Sequence, residues 1–182
     1  MTTPVMSPVD ARQHDTFTTL MWALSYPGHA TYLLATGADA FALIGETLVD
    51  LETGFFTPDA LLTARLARTG GRSLPAESAP YQFYPRLGIS ELDLLAAAPV
   101  GSHAAPDLGA TIVIGCTFGR GTCLRLRGPG IPGIREVLVG DLPDGLWDLR
   151  ATKVHAPLGW DIFLVAGDAV LGLPRTTAVE VR

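Results

Sequence analysis

Two apolar runs near the C-terminus, "DIFLVAG" and "AVLGLP", meet at Gly167-Asp168 and constrain the fold more than any other feature of the chain. Runs of this length, rich in aliphatic and aromatic residues, read as strands, and the Gly-Asp pair between them reads as a hairpin turn. Strands also dominate the preceding stretch, in "ATIVIGC", "TCLRLRG" and "REVLVG". Between the last two lies "PGIPG", a loop that proline keeps out of a sheet interior.

The first half alternates helices with strands. A helix over 10–25 places Phe17, Leu20, Met21 and Leu24 at i, i+3, i+4 and i+7 on one face, and Tyr26-Pro27-Gly28 stops it. "HATYLLAT" reads as a strand. A second helix over 38–51 then sets Leu43, Ile44, Thr47, Leu48 and Leu51 on its buried side. "GFFT" and "APYQFY" are short strands on either side of a helix opened by Pro58 and closed by Gly70-Gly71. Ser90 caps "SELDLLAAA" with Asp93 as its partner, and "LPDGLWDLRATKVH" is the last helical stretch. Helices interleaved with strands, followed by hairpins, predict an α/β domain built on a mixed sheet, one domain spanning 1–182.

With 48% hydrophobic and 17% charged residues, disorder is excluded and a large buried core is expected. Net charge is −5 and the basic residues are scattered, which argues against nucleic-acid binding. No stretch reaches the roughly 20 apolar residues of a membrane span. The N-terminus lacks a basic segment followed by an apolar one, so the expected location is cytoplasmic. Cys116 and Cys123 then read as reduced thiols. If "GATIVIGC" and "TCLRLRG" pair through "FGRG", the two thiols lie opposite one another, packed rather than bridged.

Few patterns carry chemistry. "GPGIPG" at 128–133 matches the spacing of a dinucleotide-binding loop, but Pro129 and Pro132 remove amides that a phosphate would need, and a strand follows instead of a helix. The histidines His14, His29, His103 and His155 are far apart, and none pairs at i, i+4. Glu46 and Asp50 share a helical face, a carboxylate pair or a solvated face. The richest stretch is "PLGWDIFLV" followed by "LPRTT": across the hairpin, Asp161 and Arg175 fall at the same sheet end. They form a structural ion pair there, or Arg175 holds an anion together with the hydroxyls of Thr176 and Thr177. Local chemistry favours the pair.

"PLGWDIFLV" with "LPRTTAVEV" resembles the C-terminal signature of the PhnH family, a subunit of the bacterial carbon–phosphorus lyase machinery. "FTTLMWALSYPG", "LVDLETGF" and "GATIVI…LRLRGPGI" extend the likeness in order along the chain. The resemblance implies a three-layer α/β/α fold with a mixed sheet of about seven strands. That fold is similar to the large domain of pyridoxal-phosphate transferases, without their cofactor chemistry. No cofactor is expected: Lys153 is the single lysine, and no family motif places a Schiff-base lysine there.

The resemblance further implies assembly with G, I and J subunits, and homodimers when the subunit is isolated. The assembly converts ATP and an alkylphosphonate to α-D-ribose 1-alkylphosphonate 5-triphosphate and adenine. It assigns Asp161, Arg175, Thr176 and Thr177 as signature residues, without a catalytic or metal-binding role. One position departs from the family: Thr18 and Thr19 stand where arginine follows the phenylalanine of the first helix. The alternatives are a small-anion binding module and a stand-alone enzyme on a transferase-like fold.

Overall fold

Ser7 caps the first helix, α1 (Pro8–Ser25): its hydroxyl accepts from the Asp10 amide, and Pro8 stands where no helical donor is lost. The structure, a computed structural model, describes residues 6–182. After Tyr26 the chain turns at Gly28, whose φ of 81° suits glycine, into strand β1 (Ala30–Tyr32). Next come α2 (Ala38–Leu48), β2 (Gly54–Phe56), α3 (Ala60–Leu66), β3 (Arg72–Ser73), β4 (Tyr81–Tyr84) and α4 (Leu92–Ala96). The rest is rich in strands: β5 (Val100–Ser102), β6 (Ala105–Gly109), β7 (Thr111–Gly115), β8 (Thr117–Arg127) and β9 (Arg135–Gly140). The chain closes with α5 (Leu146–Lys153), β10 (Asp161–Ala166), β11 (Ala169–Leu173) and β12 (Ala178–Val181).

Seven strands form one mixed sheet in the order β1-β11-β10-β7-β4-β2-β3. Only β11 opposes its neighbours; the strands from β10 to β3 pair in parallel. The hairpin of β10 and β11 turns at Gly167, as its sequence predicts. Along the central strands, successive side chains enter two separate cores. Ile112, Ile114, Ile162 and Leu164 lie on one face with Trp160 and Tyr84. Val113, Phe163, Val165 and Phe83 lie on the other, against Leu20 of α1, Phe41 and Ile44 of α2, and Leu62 and Leu66 of α3.

The first core is covered differently from the helical layer the sequence suggests. A three-stranded sheet, β12-β8-β9, joins α4 and α5 there, and contributes Leu124, Leu126 and Val139. Alternation explains this placement: in β8, the buried Leu124 and Leu126 alternate with Arg125 and Arg127 on the other face, the pattern of a sheet with one wet face. "TIVIG" has no such alternation and is buried on both sides. The expected hairpin between these segments therefore does not form; β7 pairs with β4 and β10, and Cys123 faces Leu138 of β9. Both cysteines are free.

Helix α1 also turns a different face inward. Thr16, Leu20 and Ala23 are buried, whereas Phe17 and Met21 are half exposed. The cause is close packing on β11, where a Cβ on Gly172 would lie 2.4 Å from the Ala23 carbonyl oxygen. Of the four residues expected inside, Leu20 and Leu24 pack against the core, and Phe17 and Met21 fall on the outer side. Helix α2 stops at Leu48 because the Asp50 carboxylate accepts from the amides of Glu52 and Thr53, forming a turn that leaves Leu51 exposed. Before α4, Glu91 rather than Asp93 closes the capping interaction, through the Gly88 amide. Among the described residues no helix is long and apolar enough to cross a membrane.

Leu164, fully buried at the centre of β10, is expected to cost about 2–5 kcal/mol when cut to alanine. Leu61→Ala, on the solvent side of α3, should cost less than about 0.5 kcal/mol. Urea denaturation of the two variants measures the contrast.

Candidate functional site

Asp161 opens β10 and Arg175 follows β11, and antiparallel pairing of Ile162 with Leu173 brings them to one end of the sheet. The Arg175 Nη2 donates to Asp161 Oδ2 at 2.7 Å, Nε reaches both carboxylate oxygens at 3.2 and 3.3 Å, and the Arg175 amide donates to Oδ1 at 2.8 Å. Nη1 donates to the carbonyls of Pro106 and Pro157, and Nη2 also to that of Gly109. All five guanidinium N–H groups thus have acceptors. Gly109 makes this possible, since a Cβ there would lie 2.8 Å from Nη1. The side chains are only 14% and 23% exposed.

The two hydroxyls that follow do not converge with this guanidinium on an open site. Thr176 is exposed, whereas Thr177 is buried and its amide donates to the Pro174 carbonyl. A second arginine holds the same corner. Arg150, in α5, is 4% exposed and donates through Nη2 to the carbonyls of Pro174 and Thr177 at 3.2 and 3.0 Å. Burial pulls its guanidinium down to about 10, partly offset by the charge of Asp161. The sequence reading passed over Arg150, although its i+4 spacing from the buried Leu146 sets it on the inward face of α5.

Other candidates are committed to the fold. "GPGIPG" packs rather than binds: Gly128 lies against Thr176, Gly130 lies against Ser25, Ile131 enters the core and β9 follows. Glu46 faces Arg12 at 3.6 Å and Arg65 Nε at 3.5 Å, while Asp50 belongs to the turn after α2. All four histidines are exposed, and no three metal-ligating side chains gather among the described residues.

The parallel strands end at a crevice of about 270 Å³, lined by Gly37, Phe41, Pro85, Gly115, Cys116 and Val165. In open α/β sheets this is the usual place for a ligand. The Cys116 thiol there is pushed up to about 12 by burial, reinforced by the charge of Asp141. Lys153 ends α5, which Arg150 ties to the opposite end of the sheet.

Comparison with known proteins connects this architecture to a family. Residues 5–180 match the family described as bacterial phosphonate metabolism protein (PhnH). The chain belongs to the PhnH family. A putative C-P lyase subunit protein, HtxG of Stutzerimonas stutzeri, is 38% identical over 175 residues, covering 94% of this chain and 87% of that protein. The alpha-D-ribose 1-methylphosphonate 5-triphosphate synthase subunit PhnH of Rhizobium meliloti (strain 1021) is 39% identical over 83 residues, 44% of this chain and 42% of its own. The stretch "LPRTT" of this PhnH chain is accordingly a corner where one carboxylate and five carbonyls hold two arginines.

Arg175→Met leaves Asp161 without its partner and is expected to lower the folding free energy by about 3 kcal/mol. Arg175→Lys should recover little, because an ammonium cannot span carboxylate and carbonyls together. Guanidinium denaturation checks both, and a loss below about 1 kcal/mol would contradict the assignment.

Cys116 should resist iodoacetamide at pH 8 while the chain is folded and react once it is unfolded, as mass spectrometry would show. Because the folded thiol keeps its proton to higher pH, its contribution to stability is complete below about pH 8.5 and falls as pH rises towards 12.

Proposed function

We propose that this PhnH-family chain is a subunit of a carbon–phosphorus lyase core assembly. That assembly converts ATP and an alkylphosphonate to α-D-ribose 1-alkylphosphonate 5-triphosphate and adenine in organic phosphonate catabolism. The observation that carries the reading is the likeness, over 94% of this chain, to a relative named as a C-P lyase subunit. The chain acts as one domain in the cytoplasm, with G, I and J subunits as its companions and a homodimer as its isolated form. The mixed seven-stranded sheet supports the likeness to the large domain of pyridoxal-phosphate transferases.

The local geometry supports an accessory role. Arg175 is saturated by Asp161 and three carbonyls, Glu46 faces two arginines, and the Cys116 thiol holds its proton. Asp161, Arg175, Thr176 and Thr177 thus act as a structural signature, which shapes the subunit that docks.

Coexpression with the G, I and J subunits should give a complex that stays together through affinity and size-exclusion steps. A chain that remains free throughout would overturn the reading. The isolated chain should release no adenine from ATP plus methylphosphonate, and turnover by it alone would establish the stand-alone enzyme instead.

A further inference from the structure

Two arginines and one aspartate meet where β10 begins and β11 ends, so the corner carries one positive charge in excess. Asp161 spends both carboxylate oxygens on Arg175, which takes them through its amide, Nε and Nη2. Arg150 is 4% exposed, and among the described residues no carboxylate pairs with it; its acceptors are the carbonyls of Pro174 and Thr177, both held by Nη2. The charge of Asp161 acts on it without a hydrogen bond between them. A guanidinium does not escape this imbalance by giving up its proton at neutral pH.

The same corner holds polar groups with nothing to bind. Arg150 Nε is fully enclosed and has no acceptor, and Thr177 Oγ1, in a residue 2% exposed, is enclosed without a partner. The two residues are already joined, Nη2 to the Thr177 carbonyl at 3.0 Å, so both orphans belong to one place. Buried polar groups without partners are few in folded proteins, and an ordered water or ion is the usual reason. Two others, Arg125 Nε and Arg135 Nε, lie on half-buried residues of the small sheet, and Arg125 has Glu136 and Glu180 beside it. At Arg150 alone do enclosed donors coincide with uncompensated charge.

We propose that Arg150 and Thr177 hold one monatomic anion of the chloride class, bound by the guanidinium Nε and the threonine hydroxyl. Charge decides between ion and water. A water would complete the hydrogen bonds yet leave the buried surplus uncompensated, which is the larger cost. Enclosure decides the size: donors wholly covered by protein admit an ion little larger than water and exclude a phosphate or a nucleotide. The two carbonyls on Nη2 fix the plane of the guanidinium beforehand, so little freedom is lost on binding. Bound there, the ion braces α5 against the turn that leads from β11 to β12. The site goes beyond the subunit reading, and it differs from an anion on Arg175, whose donors are all taken.

Thermal unfolding of the full chain at constant ionic strength tests the proposal, with sodium gluconate exchanged for sodium chloride. For a dissociation constant of about 10 mM, chloride at ~150 mM should raise the wild-type Tm by about 3–6 °C. Arg150→Met should abolish that rise and Thr177→Val, which removes the hydroxyl at constant shape, should reduce it. Arg127→Gln, at an exposed arginine of β8, should keep it in full. Crystals grown in bromide should show an anomalous peak touching Arg150 Nε and Thr177 Oγ1, a readout that does not depend on any variant folding. An equal rise in wild type and Arg150→Met, or a water without anomalous signal at that position, would overturn the proposal. Inorganic phosphate should give no rise that depends on Arg150, and one that does would overturn the assigned size. The coexpression outcome above bears on the companion subunits alone and leaves this ion untouched.

Discussion

Ile162, Phe163, Leu164 and Val165 follow one another along β10 and enter two different cores by turns, as Ile112, Val113 and Ile114 do along β7. A strand buried on both faces demands a cover on each side, and the chain supplies two unlike ones. Helices α1 to α3 carry apolar stripes and close one face. The other receives a small sheet whose β8 presents leucines inward and arginines outward. Every other placement is subordinate to this demand, including the Asp161–Arg175 pair, which anchors the entry to β10 and the exit from β11 at one corner.

Strong local patterns were legible in the sequence. The β10–β11 hairpin, the helix ending at Tyr26-Pro27-Gly28 and the stretch forming α5 carry turn chemistry or periodicity that no tertiary contact overrides. Partner choice among strands was less legible. "TIVIG" and "TCLRLR" are neighbours in sequence, yet their different alternation sends one to the centre of the large sheet and the other to the small one. β12, with only four residues, carries no periodicity strong enough to announce it, and neither do β3, β5 and β6. The inward face of α1 was half legible: Leu20 and Leu24 pack on the core as their spacing suggests, but the close approach of the helix to Gly172, which turns Phe17 and Met21 outward, leaves no mark in apolar spacing.

The same reasoning sharpens the family signature. Asp161 and Arg175 were visible as a pair because the hairpin fixes their separation, and the alternative role for Arg175 was equally consistent with its chemistry. What sequence could not supply was the set of carbonyls: those of Pro106 and Gly109 come from a segment far back along the chain, and that of Pro157 from the start of "PLGWDIFLV". Arg150 arrives from yet another segment. The run from Asp161 to Thr177 thus joins several separate backbone segments at one corner of the sheet.

The contact between Gly172 and Ala23 carries a mechanical consequence. Backbone atoms, not flexible side chains, line that crossing, so α1 and β11 have no slack between them and shift as one body. Three residues beyond Gly172, the same strand runs into Arg175 and its fan of acceptors. A side chain at position 172 would have to lift α1 off the sheet, so the glycine sets how closely the helix approaches β11.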